Sequence, residues 1–92
     1  GLAEFPDSIT ERGTKHLSEL AAMVREGHRA VMIYLIQRQD VTRFTLARDI
    51  DPNYAAAFVA ARGAGVEMLA LRCRLSPQAI TIDKPVAIKD LP

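Results

Sequence analysis

Arg12, Lys15 and His16 fall at helical spacing inside the stretch FPDSITERGTKH, three cationic or titratable side chains gathered around Gly13. Held on one helix face, such a set can grip phosphate oxygens through charge-assisted hydrogen bonds. A solvated helix face accounts for the same residues, with Glu11 and Lys15 as an i,i+4 pair. Gly13 is harder to absorb in that way. A glycine inside a helix costs about 1 kcal/mol relative to alanine and marks a close approach of another part of the fold. A second cationic pair, Arg72 and Arg74, alternates with Leu71, Cys73 and Leu75 near the end of an apolar run.

The remaining candidates for chemistry are weaker. Pro6-Asp7 suggests the first half of a metal-dependent nuclease motif, but no acidic residue is followed by the x-Lys that completes it: Glu11 precedes Arg-Gly, Glu19 Leu-Ala, Glu26 Gly-His and Glu67 Met-Leu. Asp49 and Asp51 are spaced to share a Mg²⁺ ion, although Asp51 before Pro52 already reads as a helix cap. His16 and His28 have no cysteine partner nearby for a zinc site. Neither G-x-x-x-x-G-K-[ST] nor G-x-G-x-x-G occurs. Cys73 between two arginines is either an activated thiol or, as the preferred reading, a packed core thiol. No catalytic or metal-ligating residue is therefore assigned to this chain, and no cofactor.

Ninety-two residues, 49% apolar and 25% charged, have the composition of one small globular domain. Twelve Lys and Arg against eleven Asp and Glu leave a net charge of +1, so a polyanion would have to be met by a local patch. The single cysteine excludes an internal disulfide and suggests a reducing compartment. The longest apolar run, AVMIYLI, has seven residues where a membrane helix needs about 20. No signal-peptide pattern precedes it. The expectation is a cytoplasmic protein without a membrane partner.

These candidates must be positioned by few elements. Ser8 and Glu11 have capping-box spacing, and Gly27 supplies a left-handed stop, which predicts a helix over 9–26. AVMIYLI does not alternate with polar residues and predicts a central parallel strand buried on both faces, with Ile33 and Leu35 on one side and Met32, Tyr34 and Ile36 on the other. Asp51-Pro52 caps a second helix that Gly65 closes, over 52–64. VEMLALRCRL predicts a second strand over 66–75. SPQ then turns the chain into an antiparallel strand beginning with AITI. The order is helix, strand, helix, strand, strand, with no internal repeat. So few strands leave an apolar edge beside AVMIYLI that natural proteins cover or pair. The chain reads as the later part of a larger α/β domain, and the open edge predicts self-association into a homo-oligomer.

Four blocks, FPDSITERGTKHLSEL, GHRAVMIYLIQR, FTLARDIDPNYAAAF and AGVEMLALRCRLS, together resemble the C-terminal part of the sugar fermentation stimulation protein A (SfsA) family. The resemblance runs over residues 1–92. It implies a bacterial cytoplasmic protein that binds DNA without strong sequence preference and is linked to regulation of sugar (maltose) metabolism. It further implies an OB-like domain followed by a domain resembling PD-(D/E)-x-K nucleases, of which this chain is an incomplete sheet. In that family an E-V-K-type strand stands upstream of the segment matching Gly1, so the missing N-terminal part of the same protein becomes an expected partner. The family pattern T-x-R-G-x-K-H falls on Thr10, Arg12, Gly13, Lys15 and His16. The resemblance implies a phosphate-orienting role for Arg12 and Lys15, and the nucleic-acid-binding set is taken as Arg12, Lys15, His16, Arg72 and Arg74. The alternative reading is a fragment of a Mg²⁺-dependent nuclease whose metal ligands lie upstream of Gly1. A third is a purely structural piece covering the sheet of its parent domain.

Overall fold

A computed structural model describes residues 2–37, 42–75 and 80–88. Along the chain run β1 (Leu2–Phe5), α1 (Glu11–Arg25), β2 (Val31–Ile36), β3 (Arg43–Leu46), α2 (Pro52–Ala64), β4 (Glu67–Leu75) and β5 (Ile80–Ile88). The mixed α/β class follows the expectation, with two additions. Short strands β1 and β3 precede the two helices, so the observed order is strand, helix, strand repeated twice and then a final strand. The turn expected at Ser76–Gln78 lies outside the described residues.

All five strands form one sheet in the order β1-β3-β5-β4-β2. β1 pairs parallel with β3, β3 parallel with β5, β5 antiparallel with β4, and β4 parallel with β2. β2 is thus an edge strand and not the central strand that its apolar composition predicts. Its pairing with β4 is parallel as expected, Val31 opposite Glu67 through Ile36 opposite Arg72.

Only one face of the sheet carries the helices. Tyr34, Phe44, Leu46, Ala70 and Val86 point inward and are buried against Leu17 and Ala21 of α1 and Tyr54, Phe58 and Ala61 of α2. Each large side chain so buried contributes about 1.5–3 kcal/mol. The opposite face is bare in this chain: Ile33 is 47%, Leu35 55% and Leu69 46% exposed. The expectation that both faces of β2 are covered is corrected, because the helices supply only one layer.

Both helices begin and end for identifiable local reasons. α1 is capped by Thr10, whose hydroxyl accepts from the Gly13 N–H at 3.0 Å, and not by Ser8. Thr10 displaces Ser8 because its own N–H is held from outside, by Asp51 Oδ2 at 2.8 Å. α1 ends in a Schellman arrangement, with His28 N–H donating to the Met23 carbonyl and Gly27 N–H to Val24, at φ +95 for Gly27. α2 repeats the design with Asp51 as cap, Pro52 in the first turn and Gly65 at φ +115. The exposed pair of Arg29 and Glu67 then bridges the starts of the two parallel strands that the helices feed.

Candidate nucleic-acid interface

The residues proposed for phosphate contact divide into two groups in space. Arg12, Lys15 and His16 are all exposed on α1, on the side away from buried Leu17 and Ala21. None of the three forms an ion pair among the described residues. Their charge is therefore available to a ligand.

Arg72 and Arg74 sit on β4, toward the end of the strand that pairs with the start of β5. Arg74 is exposed, but Arg72 is half-buried on the inner face and already engaged by neighbouring protein groups. α1 packs on α2 and more lightly on β2, so the five cations are carried by two separate elements. A shift in the β4–β5 register between Arg72 and Cys73 turns Cys73 inward. There it is 1% exposed, with its thiol directed at the Leu71 carbonyl at 3.8 Å, a packed core thiol as preferred from the sequence.

Gly13 has the close neighbour its position demands. A Cβ at Gly13 would lie 3.0 Å from Tyr54 Cε1 and 3.0 Å from both Thr10 Cγ2 and Oγ1. The partner is a helix and a cap, where a neighbouring strand was the sequence-based suggestion. Gly13 lets α2 approach the backbone of α1 just where Arg12 and Lys15 project outward.

Asp51 supports this arrangement and was readable from sequence only as a cap. It is 2% exposed, and its two carboxylate oxygens are both used, Oδ1 by the Tyr54 N–H at 3.0 Å and Oδ2 by the Thr10 N–H. These backbone hydrogen bonds, Thr10 first, hold its carboxyl below the usual carboxylate range. With both oxygens occupied, Asp51 is not free to share a Mg²⁺ ion with Asp49. Among the described residues no three His, Cys, Asp or Glu side chains converge on a point that could hold a metal ion. The residues present do not fit a divalent-metal centre. Among the described residues no helix is long and apolar enough to cross a membrane.

An aromatic cluster lies beneath the site. Phe5 contacts Tyr34 and Tyr54 with ring centroids 5.5 and 5.2 Å apart, and Tyr34 contacts Phe44 at 4.7 Å. The Tyr34 and Tyr54 hydroxyls share a hydrogen bond of 2.5 Å. Burial first, and for Tyr34 also this hydrogen bond, pushes both phenols above their ordinary range. The Phe5–Pro6 peptide is cis.

Comparison with known proteins agrees with this geometry. The family model described as the sugar fermentation stimulation protein RE domain matches residues 1–79. A sugar fermentation stimulation protein homolog from Ruegeria pomeroyi is 65% identical over 82 residues, covering 89% of this chain and 36% of the relative. One from Sinorhizobium medicae is 53% identical over 90 residues, covering 98% and 38%. The solved structure of Pyrococcus furiosus SfsA in complex with Ca²⁺ superposes with a TM-score of 0.87 at 28% identity, over 97% of this chain and 39% of that one. The chain thus spans less than two fifths of the length of these relatives. Matched over most of its residues by the family model and by close relatives, and sharing their backbone, the chain belongs to the sugar fermentation stimulation protein (SfsA) family.

Proposed function

We propose that this chain forms part of a non-sequence-specific DNA-binding protein linked to regulation of sugar (maltose) metabolism, and that it contributes phosphate contacts from α1. The observation that carries the reading is the exposure of Arg12, Lys15 and His16 on one face of α1, with no carboxylate neutralising them among the described residues. Arginine and lysine in such a position meet the DNA backbone by charge, releasing counterions without reading bases. Arg74 adds a second exposed cation on β4, whereas Arg72 serves more in packing. The N-terminal part of the full-length protein and DNA are the partners in this reading.

The test is Arg12→Ala with Lys15→Ala in a full-length family protein carrying this sequence. Binding should weaken about equally for unrelated DNA sequences, and the slope of log K against log salt should flatten by ~0.9 for each phosphate that is no longer neutralised. Thermal stability should change by less than about 0.5 kcal/mol, because both side chains are exposed. Unchanged affinity and slope would reduce α1 to a solvated face.

A second reading, a Mg²⁺-dependent nuclease with ligands outside this chain, is favoured by one observation, the Ca²⁺ complex of the Pyrococcus furiosus relative. In either case the present residues supply no metal centre. The purified chain should leave plasmid DNA intact in Mg²⁺ or Mn²⁺. Nicking that persists through repurification and disappears with chelator would overturn that statement.

A further inference from the structure

The two edges of the sheet face each other. β1 and β2 end the strand order on opposite sides, yet Phe5 of β1 and Tyr34 of β2 are in ring contact, so the sheet curls until its edges meet. Between them runs a groove of about 400 Å³, lined by Ala3, Glu4 and Phe5 on one side and by Ile33, Leu35 and Gln37 on the other.

Both walls of this groove present unpaired backbone. Glu67 N–H donates to the Ala30 carbonyl at 3.0 Å, and Glu67 stands opposite Val31. In a parallel ladder β4 therefore bonds the even-numbered residues of β2, and the N–H and C=O groups of Val31, Ile33 and Leu35 point into the groove. On the other wall, Ala47 N–H donates to the Phe5 carbonyl at 2.8 Å. Ala3 and Phe5 thus face β3, leaving the backbone of Leu2 and Glu4 toward the groove. Unpaired edges of this kind are templates for another strand.

We infer that this groove receives a single β-strand from the remainder of the full-length protein, which pairs with β1 and β2 at once and completes a six-stranded sheet. Strand pairing fixes its direction. β1 and β2 are antiparallel to each other through the intervening strands, so the guest runs parallel to one and antiparallel to the other. Its inward side chains meet Phe5, Tyr34 and Phe44, which sets an apolar residue at alternate positions. A second copy of this chain does not fit the groove. Its own edge strands each have one side already bonded to a neighbour, so a copy could satisfy only one wall and would carry its sheet against the other. The relatives provide ample chain for the purpose, since more than three fifths of their length lies outside the matched region.

Amide hydrogen exchange of the 92-residue chain, set beside the full-length Ruegeria pomeroyi relative, tests this. In the chain alone, the amides of Leu2, Glu4, Val31, Ile33 and Leu35 should exchange freely while those of Met32 and Tyr34 are protected. At the matching positions of the full-length relative all of them should be slowed at least tenfold. Ile33→Pro removes one groove-facing N–H without touching the β4 ladder. It should leave the melting of the 92-residue chain nearly unchanged, while the equivalent change in the full-length relative lowers its melting temperature. Free exchange at these edges in the full-length relative would overturn the proposal. So would protection in the chain alone that rises with its concentration, because that is the signature of a second copy.

Discussion

Replacing Gly13 by alanine sets two effects against each other. Gly13 has an ordinary helical φ, since Gly27 and Gly65 are the glycines with positive φ. On propensity alone, alanine would stabilise α1 by up to about 1 kcal/mol. Against this, the new methyl would meet Tyr54 Cε1 and two atoms of the Thr10 side chain, each at 3.0 Å. Neither neighbour is free to yield. Tyr54 is fully buried and tied to Tyr34, and Thr10 is fixed by its bond to the Gly13 N–H and by Asp51. Forcing a methyl into such a position costs about 1–3 kcal/mol. The net expectation is a destabilisation of about 1 kcal/mol, or a melting temperature lower by roughly 4–8 °C for a domain of this size. Thermal and urea melts of the purified chain, followed by circular dichroism, measure it. Thr10→Ser removes one clashing carbon and keeps the capping hydroxyl, so the double variant should regain part of that stability. A Gly13→Ala protein as stable as the parent, or more so, would refute the close-approach reasoning.

Two further predictions concern buried polar groups. Asp51 has a lowered folded pKa, as does Glu67 through its hydrogen bond with Arg29, so their stabilising effect is complete above about pH 4 and is lost as pH falls toward the folded values. Asp51→Asn should lower the melting temperature at pH 7, because one of two backbone N–H groups loses its acceptor, and should make the acid limb of stability shallower. Melting curves at a series of pH values check both. Tyr34→Phe strands the Tyr54 hydroxyl in the core and should cost about 1–3 kcal/mol, with Tyr54→Phe added to it restoring a part, as read by urea melts. Because both tyrosines are raised, the intact protein should keep its stability up to about pH 10 and lose it as pH rises further. The double phenylalanine variant should lose less on that alkaline side.

Local signals carried much of the fold. Asp51-Pro52 and Gly65 bounded α2 at Pro52–Ala64, as read from the sequence, and Gly27 stopped α1. What escaped was set by distant partners. Ser8 and Thr10 are both good caps, and the choice falls to Thr10 through a carboxylate in another element. β1 and β3 have only four residues each, too few for LAEF or RFTL to show a period above chance. The apolar run of β2 correctly signalled a strand, but edge and centre differ only in what pairs alongside. For the candidate site, the exposure of Arg12, Lys15 and His16 followed from helical spacing. The engagement of Arg72 did not, because alternation on β4 is broken by the register shift at Cys73.

No internal repeat is visible in the sequence, yet the chain folds as two β-α-β units laid side by side. β1 pairs with β3, the caps Thr10 and Asp51 are bonded across a separation of 41 residues, and β2 pairs with β4. Leu17 and Phe58 occupy equivalent places after the two caps, and both are fully buried. Parallel helices packed together, however, need complementary residues at equivalent positions. Three residues past the caps stand Gly13 and Tyr54, the ring of one helix lying over the bare backbone of the other. Near the far ends stand Val24 and Gly65, with the roles reversed: a Cβ on Gly65 would come within 3.0 Å of Val24 Cγ1. Two large residues at either place would collide, and two small ones would leave a void costing stability. Packing thus selects against sequence similarity at the places where the two units correspond most closely, and the backbone alone retains the repeat.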